Sequence, residues 1–179
     1  MSLIYTPKAV NANSYASVEF ANTYFHTRLY SDNWDQAEID DKEAALTMAT
    51  FRFEREIQWN EEMIGGARTT LEQALLFPRI ACLNREGDYF LDADTNPDWL
   101  MQAQCEQALF EVTSDRTADP ATRGLKKAKA DTVAVEFDGE ASQSQYLIAD
   151  VVWSLIRPWT VGGSNNKYNG LRAVPLART

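Results

Sequence analysis

The sequence is poor in the residues from which most catalytic and metal sites are built. Among its 179 residues there are one histidine and two cysteines, which leaves few ways to assemble a nucleophile with its base or a transition-metal site. The motifs GxSxG, GxxxxGK[ST], HExxH and GxGxxG are absent, and with them the usual signs of hydrolase, phosphate-loop, zinc-protease and dinucleotide sites. We therefore expect a protein that is not an enzyme and holds no metal or cofactor.

Basic residues are also scarce. Lys and Arg number 17 against 26 Asp and Glu, which gives a net charge of −9. Residues 160–179 hold three bases and no acid, so they carry +3 and the preceding 159 residues carry −12. Because proteins bind phosphate backbones through Lys and Arg, which displace counterions, the overall charge disfavours a general coating of nucleic acid.

Long apolar runs are missing as well. No stretch approaches the roughly 20 apolar residues that span a bilayer, and the first residues, MSLIYTPKAV, lack the apolar core of a signal peptide. We therefore expect no membrane partner and synthesis in a reducing cytoplasm. Cys82 and Cys105 lie far apart, outside any CxxC pattern, which is typical of buried free thiols.

The hydrophobic periodicity predicts a mainly α fold: a small bundle of about four helices with one β-hairpin and extended terminal arms. We divide the chain into an extended arm (1–16), a helical body (17–159) and an extended basic tail (160–179). The predicted helices run from the Ser17 cap to about Tyr30, from a capping box at Asp40 and Glu43 to about Ile57, from the Asn96 cap through Val112, and from about Ser144 to Arg157, with a short one between Thr69 and Pro78.

A calcium loop is a weak alternative for the turn-rich segment before the third long helix. Asp92, Asp94, Asn96 and Asp98 have the spacing of the first half of an EF-hand loop. Such a loop needs Gly at its sixth position and Glu at its twelfth, and Pro97 and Ala103 stand there instead. We expect these acids to solvate a loop and to cap the helix.

The hairpin is predicted near residues 123–138, where apolar and polar residues alternate. Arg123, Lys126, Lys127 and Lys129 place four positive charges on it. Two interpretations fit these charges equally well. They could contact nucleic acid or an acidic partner, or they could protect an exposed edge strand from pairing with other strands, for which Lys is commonly used.

The C-terminal tail is the stronger candidate for a binding segment. It is rich in Gly and Asn, and a segment of this composition does not order itself. We therefore expect a partner, or neighbouring copies of the chain, to hold it. Its candidate contacts are the apolar or aromatic Tyr168, Leu171, Val174 and Leu176 and the basic Lys167, Arg172 and Arg178.

Several short motifs, in order, resemble head–tail connector proteins of tailed bacteriophages. These are Asn13-Ser14-Tyr15-Ala16-Ser17, Tyr24-Phe25 with Trp34, Lys42-Glu43-Ala44-Ala45-Leu46 with Ala49-Thr50, Gln73-Ala74-Leu75-Leu76-Phe77-Pro78-Arg79, and Leu155-Ile156-Arg157-Pro158. The resemblance covers about Asn11 to Trp159 and leaves the tail unmatched. Some members of that family carry the label DnaT-like single-stranded DNA-binding protein.

The resemblance implies a structural adaptor in the neck of the virion, assembled in the host cytoplasm. Such connectors form a ring, usually of twelve copies, beneath the portal protein, extend the DNA channel and present a surface to tail or nozzle proteins. Double-stranded DNA passes through the lumen without specific binding. Residues 86–119 hold nine acids and one base, which suits a wall that repels phosphate. We therefore expect the adaptor, with a DnaT-like single-stranded DNA-binding protein as the alternative.

Overall fold

The structure, a computed structural model, describes residues 2–113 and 147–162 in full and the backbone of 127–130 and 133–136 between them. It confirms the predicted fold class, which is mainly α with one β-hairpin. The described helices and strands are α1 (Val18–His26), α2 (Asp32–Gln36), α3 (Ile39–Glu56), α4 (Glu61–Ile64), β1 (Ala67–Arg68), β2 (Arg79–Ile80), α5 (Asp98–Thr113), β3 (Lys127–Ala130), β4 (Val133–Glu136), α6 (Asp150–Ile156) and a 3₁₀ turn, Arg157–Trp159.

The first helix begins where the sequence predicts and ends earlier. The Ser17 hydroxyl accepts a hydrogen bond from the backbone N–H of Phe20, at 3.1 Å, as an N-cap should. The helix ends at His26, and Tyr30, the predicted end, lies outside it with a left-handed φ of 64°. Residues 2–16 contain no helix or strand, and Tyr15 and Ala16 at their end are buried.

Helix α3 matches the predicted second helix, but its start differs. It begins at Ile39 after Glu38, so the predicted capping box at Asp40 is wrong. Asp40 lies in the first turn instead, where a negative charge favours the helix dipole. The buried stripe is Ala45, Leu46, Ala49, Thr50 and Phe53.

The predicted short helix between Thr69 and Pro78 does not form. This segment is a loop between β1 and β2, which pair antiparallel with Ala67 opposite Ile80. The buried Gln73 side chain explains the loop: it accepts from the Thr70 N–H and donates to the carbonyls of Leu75 and Pro78. These bonds satisfy backbone groups that a helix would have paired internally.

Helix α5 lies at the centre of the domain. Its inner part is buried on every side, including the polar Gln104, Glu106 and Gln107. Its N-terminal residues Leu100 and Ala103 share one core cluster with Phe53 at the end of α3. Further along α5, Ala108 and Leu109 share a second cluster with Ala45 and Leu46 near the start of α3. The two helices therefore run in opposite directions.

The predicted N-cap of α5, Asn96, is wrong. The Pro97 carbonyl accepts from the N–H groups of Leu100 and Met101, and the helix begins at Asp98. The side chain of Asn96, predicted as the cap, points inward and donates to the Tyr15 carbonyl at 2.9 Å. Asn96 therefore ties the N-terminal arm to the body.

The C-terminal half of the described chain contains the hairpin and the last helix. Strands β3 and β4 pair antiparallel, with Lys127 opposite Glu136 and Ala130 opposite Val133, inside the predicted range. Helix α6 is shorter than predicted. Residues 147–149 lie before its first turn, and Arg157 and Pro158 belong to the 3₁₀ turn that follows it. Residues 144–146 lie outside the described part. No described helix combines the length and apolar character needed to cross a membrane.

Candidate nucleic-acid interface

The outer face of α3 carries side chains that the core leaves free. Asp40, Ala44, Met48, Phe51 and Arg55 are all exposed, at spacings of three or four residues that place them on one side of a helix. Met48 is 38% exposed and Phe51 is 43% exposed. The apolar spacing of Met48 with Ala45 and Phe53 predicts an inner position for Met48, and this prediction is wrong. The buried stripe leaves it on the outside.

Phe51 and Arg55 form the most distinctive pair on this face. They are four residues apart, and the Arg55 guanidinium carbon lies 5.5 Å from the centre of the Phe51 ring. This distance is within the range of a cation–π contact. With Met48, Arg52 and Glu56 they line a shallow cavity of about 190 Å³. An aromatic ring and a guanidinium thus share one open surface.

Arg52 is held in place by a buried polar network. Its Nε donates to Glu111 Oε1 at 3.3 Å, and Gln107 Nε2 donates to the same oxygen at 2.8 Å. Gln107 also donates to the Leu147 carbonyl and accepts from the Ala149 N–H. The network joins α3 to the end of α5 and to the point where the chain re-enters α6. Because Glu111 neutralises Arg52, Arg55 is the cation that remains available among the described residues lining this cavity.

The N-terminal half of the same face is acidic. Asp40, Glu43, Ala44 and Thr47 line a second cavity of about 330 Å³, which meets the first at Met48. The outer face of α3 is therefore acidic at its start and apolar in the middle, and towards its end the cation Arg55 lies next to the exposed Glu56.

Glu54 does not add negative charge to the outer face. Its carboxylate accepts hydrogen bonds from the Tyr15 hydroxyl and from the Leu76 N–H. Burial raises the pKa of this carboxyl. Glu54 thus joins the core side of α3 to the arm and to the loop before β2.

The other chemistry-bearing residues have structural positions. Burial raises the pKa of the Cys82 thiol to about 11 and that of the Cys105 thiol further still, so neither is an activated nucleophile. Both are free and buried, as predicted. The Asp92 carboxylate accepts hydrogen bonds from the Asp94 N–H and from the Thr95 hydroxyl. Its hydrogen bonds therefore stabilise its own loop. Among the described residues, no cluster of three or more His, Cys, Asp or Glu could hold a metal.

The predicted site residues are only partly covered by the described chain. Lys127 and Lys129 occupy alternate positions in β3, and their role stays a prediction. Arg123, Lys126 and the seven tail residues Lys167, Tyr168, Leu171, Arg172, Val174, Leu176 and Arg178 lie outside the described residues. Phe51 and Arg55 were not predicted as site residues from the sequence. Their spacing of four residues on a predicted helix was the available signal, but their exposure depends on which side of α3 faces the core.

The chain belongs to the family described as "Putative DnaT-like ssDNA binding protein", whose model matches residues 1–174. No curated protein matches the chain, and no solved structure matches it.

Proposed function

We propose that this protein binds single-stranded DNA through the C-terminal half of α3, as a binding protein and not as an enzyme. The observation that carries the proposal is the exposed Phe51 ring with the Arg55 guanidinium beside it. Membership of a family described by single-stranded DNA binding supports it.

The chemistry of the surface fits a single strand better than a duplex. Sequence-tolerant binders of single strands stack bases on aromatic side chains and follow the backbone with positive charge. Phe51 offers the stacking surface, and Arg55 offers the contact with a phosphate. In a duplex the base faces are stacked on one another, so a single exposed ring has little to bind. The basic side chains of the hairpin and the tail, such as Lys127, Lys129 and Arg172, would supply further phosphate contacts.

Fluorescence anisotropy with a labelled oligo(dT) tests this proposal. Phe51→Ala should weaken binding roughly 5- to 150-fold, since stacking is worth about 1–3 kcal/mol per base. Arg55→Ala should weaken it and reduce the slope of log affinity against log salt by about 0.7, the value for one phosphate contact with a single strand. Tyr30→Ala and Arg157→Ala are matched controls, since both residues are exposed and belong to other segments of the chain.

The controls decide the outcome. Equal losses in the α3 variants and the control variants would mean that α3 is not the interface. Unchanged binding in Phe51→Ala and Arg55→Ala, with both variants folded, would have the same meaning. Absence of oligo(dT) binding by the unaltered full-length protein at low salt would refute the proposed function itself.

A structural adaptor in a phage neck is the second candidate, and the exposed acids of one loop favour it. Glu86, Asp88, Asp92, Asp94 and Asp98 are all exposed, although Lys8 forms an ion pair with Asp94 at 2.7 Å. A surface of this charge suits contact with passing DNA without adhesion. Two other acids expected in that wall do not contribute, because Glu106 is buried against Arg28 and Glu111 against Arg52. The acidic surface is therefore the loop before α5 together with Asp98, the first residue of that helix, and not the buried middle of α5.

Under this second proposal the protein would reside in the virion and bind the portal protein and neighbouring copies in a ring. The test is co-purification with the portal protein, with and without residues 160–179. We expect the full-length protein to join the portal and the truncated protein to lose it. A full-length protein that neither joins the portal nor forms a ring there would rule this candidate out.

A further inference from the structure

We infer that the outer face of α3 is the interface of a two-fold symmetric dimer, whose occupant is the α3 helix of a second copy of this chain. The face presents Asp40, Ala44, Met48, Phe51 and Arg55 in one line along the helix. From Asp40 to Arg55 this line is about 22 Å long at 1.5 Å per residue. No part of this inference depends on DNA binding.

The order of side chains along this line is complementary to itself when reversed. If two α3 helices lie antiparallel with the two-fold axis between positions 47 and 48, residue i faces residue 95 − i of the other copy. Asp40 then faces the partner's Arg55, and an acid meets a base at both ends. Ala44 faces the partner's Phe51, so a small side chain leaves room for a large one. Near the axis, Met48 and the partner's Met48 meet.

The two cavities along α3 fit this arrangement. The cavity of about 330 Å³ beside Asp40 and Ala44 would receive the partner's Phe51 and the partner's Arg55. The cavity of about 190 Å³ beside Phe51 and Arg55 would receive the partner's Asp40 and the partner's Ala44. Ridges of one helix filling the grooves of another is the general mode of helix packing. The exposed area of Met48 and Phe51 would be removed from water in the process.

The symmetry of the charges singles out a second copy as the partner. A two-fold interface uses the same patch on both chains, so each patch must complement itself. Asp40 and Arg55 at opposite ends satisfy that condition. Such an interface closes after two copies, unlike the head-to-tail contacts of a ring. Because Phe51 and Arg55 are also the proposed DNA contacts, dimer and DNA would exclude each other on this face.

The test uses two charge-reversal variants, Asp40→Arg and Arg55→Glu. Each alone places like charges opposite each other twice in the dimer, and we expect the dimer dissociation constant to rise roughly 10- to 30-fold in each. Mixed together, the two variants should associate as a heterodimer, since the two substituted positions then face each other with opposite charges and the native pair remains at the other end. The double variant Asp40→Arg/Arg55→Glu should associate with itself. Arg157→Glu is the matched control off α3.

Sedimentation velocity over a concentration series, with circular dichroism to check folding, gives the readout. The inference predicts a species of twice the 20.2 kDa chain mass for the unaltered protein, the control and the variant mixture. An unaltered protein that stays monomeric throughout, or folded variants that fail to associate when mixed, would overturn it. Absence of oligo(dT) binding by the unaltered protein, at concentrations where it is monomeric, would refute the proposed function and leave the dimer standing.

Discussion

Gly65 occupies a backbone conformation that should tolerate no side chain. Its φ is 78° and its ψ is 162°, a region used almost only by glycine. A Cβ atom built there would lie 2.1 Å from the Ile80 carbonyl oxygen, which is part of β2. We predict that Gly65→Ala is severely destabilising because both the backbone conformation and the packing oppose it.

The magnitude follows from two contributions. Holding alanine in such a conformation costs about 1–3 kcal/mol. Moving β2 away from Gly65 also disturbs Arg79, whose guanidinium donates two hydrogen bonds to the Gly65 carbonyl, at 3.1 and 2.9 Å. Hydrogen bonds to charged groups are worth about 1.5–3 kcal/mol. Because part of this bonding survives a small shift, we expect a loss of roughly 3–5 kcal/mol in the free energy of unfolding.

The neighbouring glycine provides the control. Gly66 is exposed, and a Cβ atom there would meet no atom within 4 Å. Gly66→Ala should therefore change stability by no more than about 0.5 kcal/mol. Urea denaturation followed by the fluorescence of the five tryptophans measures both variants. If Gly65→Ala stays within about 1 kcal/mol of the unaltered protein, the close approach of Gly65 to β2 is wrong.

Three further predictions concern the core and the α3 face. Gln104→Leu should cost about 3–4 kcal/mol in urea denaturation, because it leaves the Ala16 N–H without its acceptor and removes the hydrogen bonds that the amide nitrogen shares among Ser14, Leu46 and Thr50. The half-buried Gln102→Leu on the same helix should cost under about 1 kcal/mol, and equal costs for the two variants would contradict the network. Burial raises the pKa of the Glu54 carboxyl in the folded protein above its value in the unfolded chain. The folded state therefore binds this proton more tightly, and the resulting stabilisation is fully present at a pH below the unfolded-state pKa and is lost as the pH rises through the folded-state pKa. Relative to Glu54→Gln, the unaltered protein should gain unfolding free energy from pH 7 to pH 5, and a pH-independent difference would refute this. Finally, oligo(dT) should shift the dimer towards monomer in sedimentation, and an unchanged dimer fully loaded with DNA would show that the two partners use different surfaces.

The sequence was sufficient to predict helices where the local chemistry of the cap and the apolar periodicity agree. Ser17 has a cap's side chain and is the cap, and the apolar repeat of α3 and α5 predicted two long core helices. The failures are positions where a distant contact decides. Gln73 satisfies the backbone of a loop that was predicted as a helix. Asn96 bonds to the carbonyl of Tyr15, 81 residues away, instead of capping its own helix.

The candidate site was harder to predict for the same reason. Periodicity shows that α3 has a buried face, but the position of that face is set by the packing of α5. A small rotation of α3 about its axis would bury Met48 and expose a neighbouring residue. The exposure of Phe51 beside Arg55 is therefore visible only in the packed structure. The charge count was informative in a different way. It correctly described an acidic chain, but an average over 179 residues cannot show that Asp40 and Arg55 lie at opposite ends of one helix face.

The most direct test of the central claim is the affinity of the full-length protein for an oligo(dT) compared with a duplex of equal length, at two salt concentrations. Stacking on Phe51 and contact with Arg55 predict tighter binding to the single strand, weakened by salt because phosphate contacts release counterions. Equal affinity for both forms, or binding to neither at low salt, would contradict the claim.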